Sequence, residues 1–266
     1  MEAEFLVPPV RHKVLLEKLG EMERLAVVQS GSAGTDWLEP FIPEGVTLCN
    51  ARGTRDRAVS EWVLAAILAM EKRLPHFAAE QRGHLWHPEE LSEIAGKRAL
   101  IVGYGSIGRC TGQLLEAIGV EAQGVASKAR PGVHGIEDLE GLLGKADIVV
   151  VLVPLTDATR GLFDTGKLSL MRPGALLVNA ARGPVVDTGA LLKELSSERI
   201  RAALDVTDPE PLPAEHPMWD VPGLLITPHL AGDSPQAEER VYRLIGDQIR
   251  RYVAGESLVN VVEISR

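Results

Sequence analysis

The sequence has 266 residues, with 28 Lys and Arg against 37 Asp and Glu for a formal net charge of −9, and 45 % of it is hydrophobic and 24 % charged. That composition is globular, and its acidity and lack of basic blocks argue against nucleic acid as a partner. No apolar run approaches the roughly 18 residues of a membrane helix. The two cysteines, Cys49 and Cys110, stand too far apart for a metal knuckle or a disulfide framework and suggest a reducing compartment. The acidic start, Met1-Glu2-Ala3-Glu4, lacks the basic character of a signal peptide, so a cytoplasmic location is expected.

In chain order, Glu4–Val7, Leu25–Gln29 and Val46–Cys49 read as strands, with a helix over Arg11–Leu19 between the first two. A helix is predicted over Val59–Leu74 from its apolar face of Trp62, Leu64, Ala65, Ile67 and Leu68, followed by an irregular stretch around Gly83–Glu93. From there short β-branched runs alternate with helical patterns, the signature of a parallel sheet covered on both faces. Six strands are expected, at Ala99–Val102, Val120–Val125, Ile148–Val153, Ala175–Asn179, Ala202–Val206 and Leu224–Thr227. The intervening helices are Ile107–Ile118, Glu137–Leu143, Thr165–Met171 and Thr188–Ser196. A last helix has Ser234 as cap and Pro235 at its first position and runs to about Ala254. The reading is α/β, a doubly wound parallel sheet over 56–233 and a second, smaller unit from 1–55 plus 234–266.

Gly103-Tyr104-Gly105-Ser106-Ile107-Gly108 is a G-x-G-x-x-G loop set between a predicted strand and a predicted helix. In that setting backbone N–H groups and the helix dipole face an incoming pyrophosphate; the plainer alternative is a tight turn. At the end of the second strand, where an acid would take the ribose hydroxyls of NAD, the sequence reads Ser127-Lys128-Ala129-Arg130. A hydroxyl and two cations suit a 2′-phosphate, which favours NADP(H), with NAD(H) as the alternative.

Arg182, Glu210 and His229 fall at the carboxyl ends of later strands, the edge where open α/β sheets bind ligands. Reduction of a 2-keto acid needs these three functions. An arginine clamps the carboxylate and polarises the keto oxygen, a protonated imidazole supplies the proton, and a carboxylate orients that imidazole and favours its charged form. A metal role for His84 and His87 near Glu89 and Glu90 lacks an element to fix it, and no metal is expected. Trp86 and its neighbours read better as an arm reaching a partner subunit.

At these residues the chain resembles the D-isomer-specific 2-hydroxyacid dehydrogenases. The likeness runs through Ala58-Val59-Ser60-Glu61-Trp62-Val63-Leu64, the glycine loop, Val153-Pro154-Leu155-Thr156, Asn179-Ala180-Ala181-Arg182-Gly183 and Ala203-Leu204-Asp205-Val206. The resemblance implies a Rossmann domain beside a flavodoxin-like substrate domain, in a homodimer. It implies that Arg182 binds the substrate carboxylate, that Glu210 and His229 form the acid/base pair, and that Asp205 holds the nicotinamide amide. Ser106 and Ile107 would contact the pyrophosphate, with Val153, Pro154, Thr159, Ala181, Ala231 and Gly232 completing the cofactor site, and Ser32-Ala33-Gly34 would face the substrate carboxylate. Within the family, Asp205-Val206-Thr207-x-Pro209-Glu210-Pro211-Leu212-Pro213 and the basic Ser127-Lys128 loop look most like glyoxylate and hydroxypyruvate reductases. Phosphoglycerate-type dehydrogenases and the non-catalytic, nucleotide-binding corepressors of this fold are the alternatives. Family members usually carry a further segment before the stretch matching Glu4–Val7, including a central strand. A shortened substrate domain is therefore expected, with an open edge at Phe5-Leu6-Val7, cofactor binding retained, poor turnover and self-association beyond a dimer.

Overall fold

A computed structural model describes residues 2–9 and 13–264. The chain divides into two units, one formed by residues up to Arg57 together with those from Asp233 onward, the other by Ala58–Gly232.

The first unit opens with β1 (Phe5–Leu6), α1 (Lys13–Leu16), β2 (Val27–Gln29) and β3 (Thr47–Cys49). The strands are parallel in the order β1-β2-β3, so β1 pairs with β2 through Phe5 opposite Val27 and Leu6 opposite Val28. Leu16, Leu19, Val28, Leu38 and Leu48 pack as its core. The helix expected from Arg11 is α1 followed by a 3-10 turn at Leu19–Glu21, and its first two positions lie outside the described residues.

The second unit takes up α2 (Asp56–Glu71), α3 (Leu74–Arg82), β4 (Arg98–Val102), α4 (Ser106–Ala117), β5 (Glu121–Ala126) and β6 (Val133–Gly135). It continues through α5 (Leu139–Leu143), β7 (Ile148–Val151), α6 (Thr165–Leu170), β8 (Leu176–Asn179), α7 (Thr188–Ser196), β9 (Arg201–Leu204) and β10 (Leu224–Ile226). All seven strands are parallel, in the order β10-β9-β8-β7-β4-β5-β6. Period-two alternation divides them between two cores. Ile101, Ile148, Val150 and Val178 meet α2 and α4 through Val63, Ile67 and Leu115, whereas Leu100, Val102, Val149 and Leu177 meet α5, α6 and α7 through Leu143, Leu168 and Leu191. Chain order reverses between β4 and β7, which opens a crevice at their carboxyl ends.

Three expectations need correction. The sheet has a seventh strand, β6, a three-residue edge too short and too polar to show a pattern. The expected strands at Ile148–Val153 and Ala202–Val206 end earlier, at Val151 and Leu204, because the residues beyond them turn out of the sheet into site loops. The single helix over Val59–Leu74 is two helices: α2 stops at Glu71, Arg73 takes a left-handed φ of 50°, and α3 restarts with a proline in its first turn.

After the sheet the chain returns to the first unit as α8 (Pro235–Ala254). Ser234 Oγ accepts the Ala237 N–H at 3.1 Å, and Gly255 ends the helix at a φ of 70°. Gln248 of α8 is fully buried and donates to Gln29 Oε1 at 2.9 Å and to the Val259 carbonyl at 2.8 Å, and accepts from the Val259 N–H at 3.0 Å. The last residues then run beside β3, with Val261 bridged antiparallel to Cys49 and the Val262 N–H donating to the Leu48 carbonyl at 2.8 Å. Burial pushes the Cys49 thiol pKa up, partly offset by a hydrogen bond with Gln248.

Candidate active site

The glycine loop leaves β4 at the reversal point. The N–H groups of Gly103 and Tyr104 both donate to the Val125 carbonyl, at 2.9 and 3.0 Å, which fastens the loop to β5. Its three glycines have different tasks. A side chain at Gly103 would strike the backbone of Leu152 and Val153, and one at Gly108 would strike the Gly103 carbonyl. A methyl group at Gly105, by contrast, would meet nothing within 4 Å. Packing therefore requires the first and third glycines, while the second leaves its space open at the start of α4, which no side chain caps. That opening is where a pyrophosphate can approach the backbone, so the residues fit a dinucleotide.

Tyr104 lays its ring across Gly124 of β5 and Gly112 of α4, neither of which has room for a side chain. Arg130 Nη2 donates to the Tyr104 carbonyl at 2.6 Å, tying the loop after β5 to the glycine loop. Lys128, on that same loop, is exposed and has no hydrogen bond or ion pair among the described residues. Ser127 precedes it, and no carboxylate occupies the end of β5. Beyond β7, Thr159 Oγ1 donates to the Pro154 carbonyl at 2.6 Å and accepts the Thr156 N–H at 2.8 Å, closing the turn that follows Val153.

At the end of β8 the buried Asn179 shapes the turn that carries Arg182. Its Oδ1 accepts the Ala181 N–H at 3.0 Å and its Nδ2 donates to the Arg182 carbonyl at 3.0 Å. Gly183 then packs so tightly on the Thr207 carbonyl that no side chain fits, which sets the Arg182 turn against the loop carrying Glu210. Glu210 Oε1 lies 2.7 Å from His229 Nδ1. With Nδ1 engaged by a carboxylate, Nε2 is left to face a substrate. The structure thus brings the turns bearing Arg182, Glu210 and His229 together.

His229 itself is held by Asp205. The His229 N–H donates to the Asp205 carbonyl at 2.8 Å, and His229 takes a left-handed φ of 54°. The Asp205 carboxylate, 3 % exposed, accepts Thr227 Oγ1 at 2.5 Å, the Leu230 N–H at 2.9 Å and the Ala231 N–H at 2.8 Å. Two carboxylate oxygens offer about four acceptor positions, so one position remains for a further donor such as a carboxamide. Gly232 closes this unit. Ser32, Ala33 and Gly34 belong to the first unit, where they follow β2, and the Ser32 N–H donates to Ser30 Oγ at 3.0 Å. Sequence reasoning did not single out Asn179 or Thr227; an Asn at a strand end three residues before an arginine is the signal that could have found the first.

A profile of the D-isomer specific 2-hydroxyacid dehydrogenase NAD binding domain matches residues 64–231. The chain belongs to the D-isomer specific 2-hydroxyacid dehydrogenases. Their Rossmann architecture is the fold of its larger unit, and NAD(P) is the cofactor class of that domain. A glyoxylate reductase from Thermofilum pendens is 34 % identical over 268 residues, covering 93 % of this chain and 78 % of the relative. A D-3-phosphoglycerate dehydrogenase from Mycobacterium bovis is 33 % identical over 273 residues, covering 99 % of this chain, and the chain spans about half (52 %) of that relative's length. Among solved structures, an NADPH-dependent glyoxylate/hydroxypyruvate reductase from Sinorhizobium meliloti, in complex with NADP and sulfate, superposes with a TM-score of 0.88 at 28 % identity, covering 98 % of this chain and 84 % of that one. A family member from Xanthobacter autotrophicus in complex with NADPH gives 0.85 at 32 % identity, covering 98 % and 85 %. Among the described residues no helix is long and apolar enough to cross a membrane, and no three His, Cys, Asp or Glu side chains group as a metal site.

Proposed function

We propose that the chain reduces small 2-keto acids of the glyoxylate and hydroxypyruvate type to D-2-hydroxy acids, with NADP(H) preferred over NAD(H). The observation that carries this reading is the Glu210–His229 pair, 2.7 Å apart at the carboxyl edge of the dinucleotide-binding unit. When bound, the nicotinamide supplies the hydride. Gly105, Ser106 and Ile107 would hold its pyrophosphate, and Ser127, Lys128 and Arg130 its adenosine phosphate. Arg182 takes the substrate carboxylate and polarises the keto oxygen, drawing negative charge toward itself as the carbonyl is reduced. His229 gives its proton from Nε2 to that oxygen, while Glu210 stabilises the charged ring through Nδ1. Asp205 fixes the loop from which the imidazole acts.

The cofactor preference rests on the exposed, unpaired Lys128, on the lack of an acid at the end of β5, and on the NADPH or NADP bound in the similar structures. The match of phosphoglycerate dehydrogenases to 99 % of the chain supports a second reading, oxidation of a phosphorylated hydroxy acid. One assay separates the two: NADPH consumption with glyoxylate or hydroxypyruvate against NAD reduction with 3-phosphoglycerate. Nucleotide binding with neither reaction would leave the chain a non-catalytic module. Self-association as a homodimer in the cytoplasm completes the proposal.

A further inference from the structure

His229 and Glu210 approach to 2.7 Å, yet neither side chain is buried: 38 % of the histidine and 25 % of the glutamate side chain are exposed. A pair in reach of water contributes little when its partners move freely, because side-chain entropy and solvent both compete with the contact. Persistence then depends on the backbone beneath each partner. Under His229 that backbone is fixed by Asp205. The immediate neighbours of Glu210 cannot supply the same service, since Pro209 and Pro211 flank it and carry no N–H to donate.

Two threonine hydroxyls reach the carbonyls just before Glu210 instead. Thr207 Oγ1 donates to the Pro209 carbonyl at 2.8 Å, and Thr188 Oγ1 donates to the Asp208 carbonyl at 2.8 Å. Each threonine is itself anchored. Thr207 is 8 % exposed, and its own carbonyl packs against Gly183. Thr188 opens α7, whose start is held on both sides: Asp187 Oδ1 accepts the Ala190 N–H at 2.7 Å, and the Asp187 N–H donates to the carbonyl of the fully buried Phe163 at 3.0 Å. Beyond Glu210, Leu212 joins the core of the unit.

We propose that Thr188 and Thr207 are positioning residues for the reduction: by fastening the two carbonyls that precede Glu210, they aim its carboxylate at His229 Nδ1. This rests on the acid/base reading of the Glu210–His229 pair given above. The β-branch of threonine restricts χ1, so each hydroxyl is presented in a set direction and not searched for. Removing one hydroxyl leaves its carbonyl to water and gives the loop room to turn Glu210 away from the ring. Neither hydroxyl lies on the glycine loop or on the loop after β5, so the effect falls on turnover and not on nucleotide affinity.

The test uses the whole chain, with NADPH and glyoxylate or hydroxypyruvate. Thr188→Val and Thr207→Val remove the hydroxyls at nearly constant shape, and each is expected to lower kcat by about tenfold with the KM for NADPH unchanged. Thr188→Ser and Thr207→Ser, which keep the donor, should recover most of that loss, whereas a lesion in packing alone would not be rescued. In a Glu210→Gln background the valine changes should cost no further turnover, because the group they aim is already gone. A second readout needs no substrate: in 15N-histidine-labelled protein, the His229 Nδ1 resonance, identified by its loss in His229→Ala, should move in both valine variants toward its position in Glu210→Gln. A valine variant with full turnover removes that threonine from the role, and an undiminished loss in the Glu210→Gln background overturns the proposal. A wild-type chain that reduces no keto acid overturns the proposed activity, and the resonance then decides alone: moved, it upholds the positioning of Glu210, and unmoved, it overturns it.

Discussion

The main-chain N–H of His229 is bonded to the carbonyl of Asp205 at 2.8 Å, while the Asp205 carboxylate takes the N–H groups of the next two residues. One buried side chain thus fixes the backbone that aims the imidazole. Asp205→Ala leaves three donors without their acceptor in a buried setting, which should lower the unfolding free energy by about 3 kcal/mol. Urea denaturation measures that loss. Turnover should fall further than stability accounts for, as seen by comparing kcat at a temperature where the variant is fully folded.

His229→Ala removes the proton donor and should lower kcat for keto-acid reduction by roughly 100-fold while leaving nucleotide affinity in place. Glu210→Gln keeps a group of the same shape beside Nδ1 but not its charge. Turnover should fall by about tenfold or more with nucleotide affinity unchanged, because the amide cannot offset the charge of the ring that donates the proton. An unchanged kcat would remove Glu210 from the role.

The two basic residues after β5 should behave differently. Lys128→Ala should weaken NADPH binding by about 1 kcal/mol or more and leave NADH nearly unchanged, since only one cofactor carries the 2′-phosphate. Arg130→Ala should weaken both, because it also cuts the bond to the Tyr104 carbonyl that tethers the glycine loop. Equilibrium titrations of the two cofactors against the two variants decide it.

The glycines separate binding from folding. Gly105→Ala meets open space and should leave the melting temperature unchanged while weakening cofactor binding at least tenfold. Gly183→Ala drives a methyl group into the Thr207 carbonyl and should destabilise the protein by about 2 kcal/mol or more. Thermal melts with and without NADPH distinguish the two outcomes.

Much of the larger unit was legible because its central strands are short, nearly unbroken apolar runs and its glycine loop sits where strand gives way to helix. Val133–Gly135 escaped because an edge strand of three residues containing His134 is no such run. The break between α2 and α3 escaped because Arg73 adopts its left-handed φ in a run of good helix formers, and only Pro75 hints at a new start. Arg182, Glu210 and His229 were readable as types at strand ends. Their support was not: Asn179 works by side-chain bonds to the backbone of its own turn, and Gly183 and Asp205 by contacts with loops some twenty or more positions away. The Gln29–Gln248 bond, side chain to side chain across 219 positions, is equally invisible to local pattern.

Because Gln248, Val259 and Val261 pack against the small sheet of Phe5, Val27 and Cys49, that unit is assembled from two stretches with the whole of the other unit translated between them. Ala58–Gly232, by contrast, is a continuous stretch that holds both strands of the crevice, the glycine loop and all three strand-end residues. During synthesis the nucleotide-binding half can therefore assemble around its own core while the opening segment waits, half-made and apolar, for α8 to emerge. The wait lasts until the stretch from Asp233 onward has been translated, and until then β1 and β2 are open to the wrong partner.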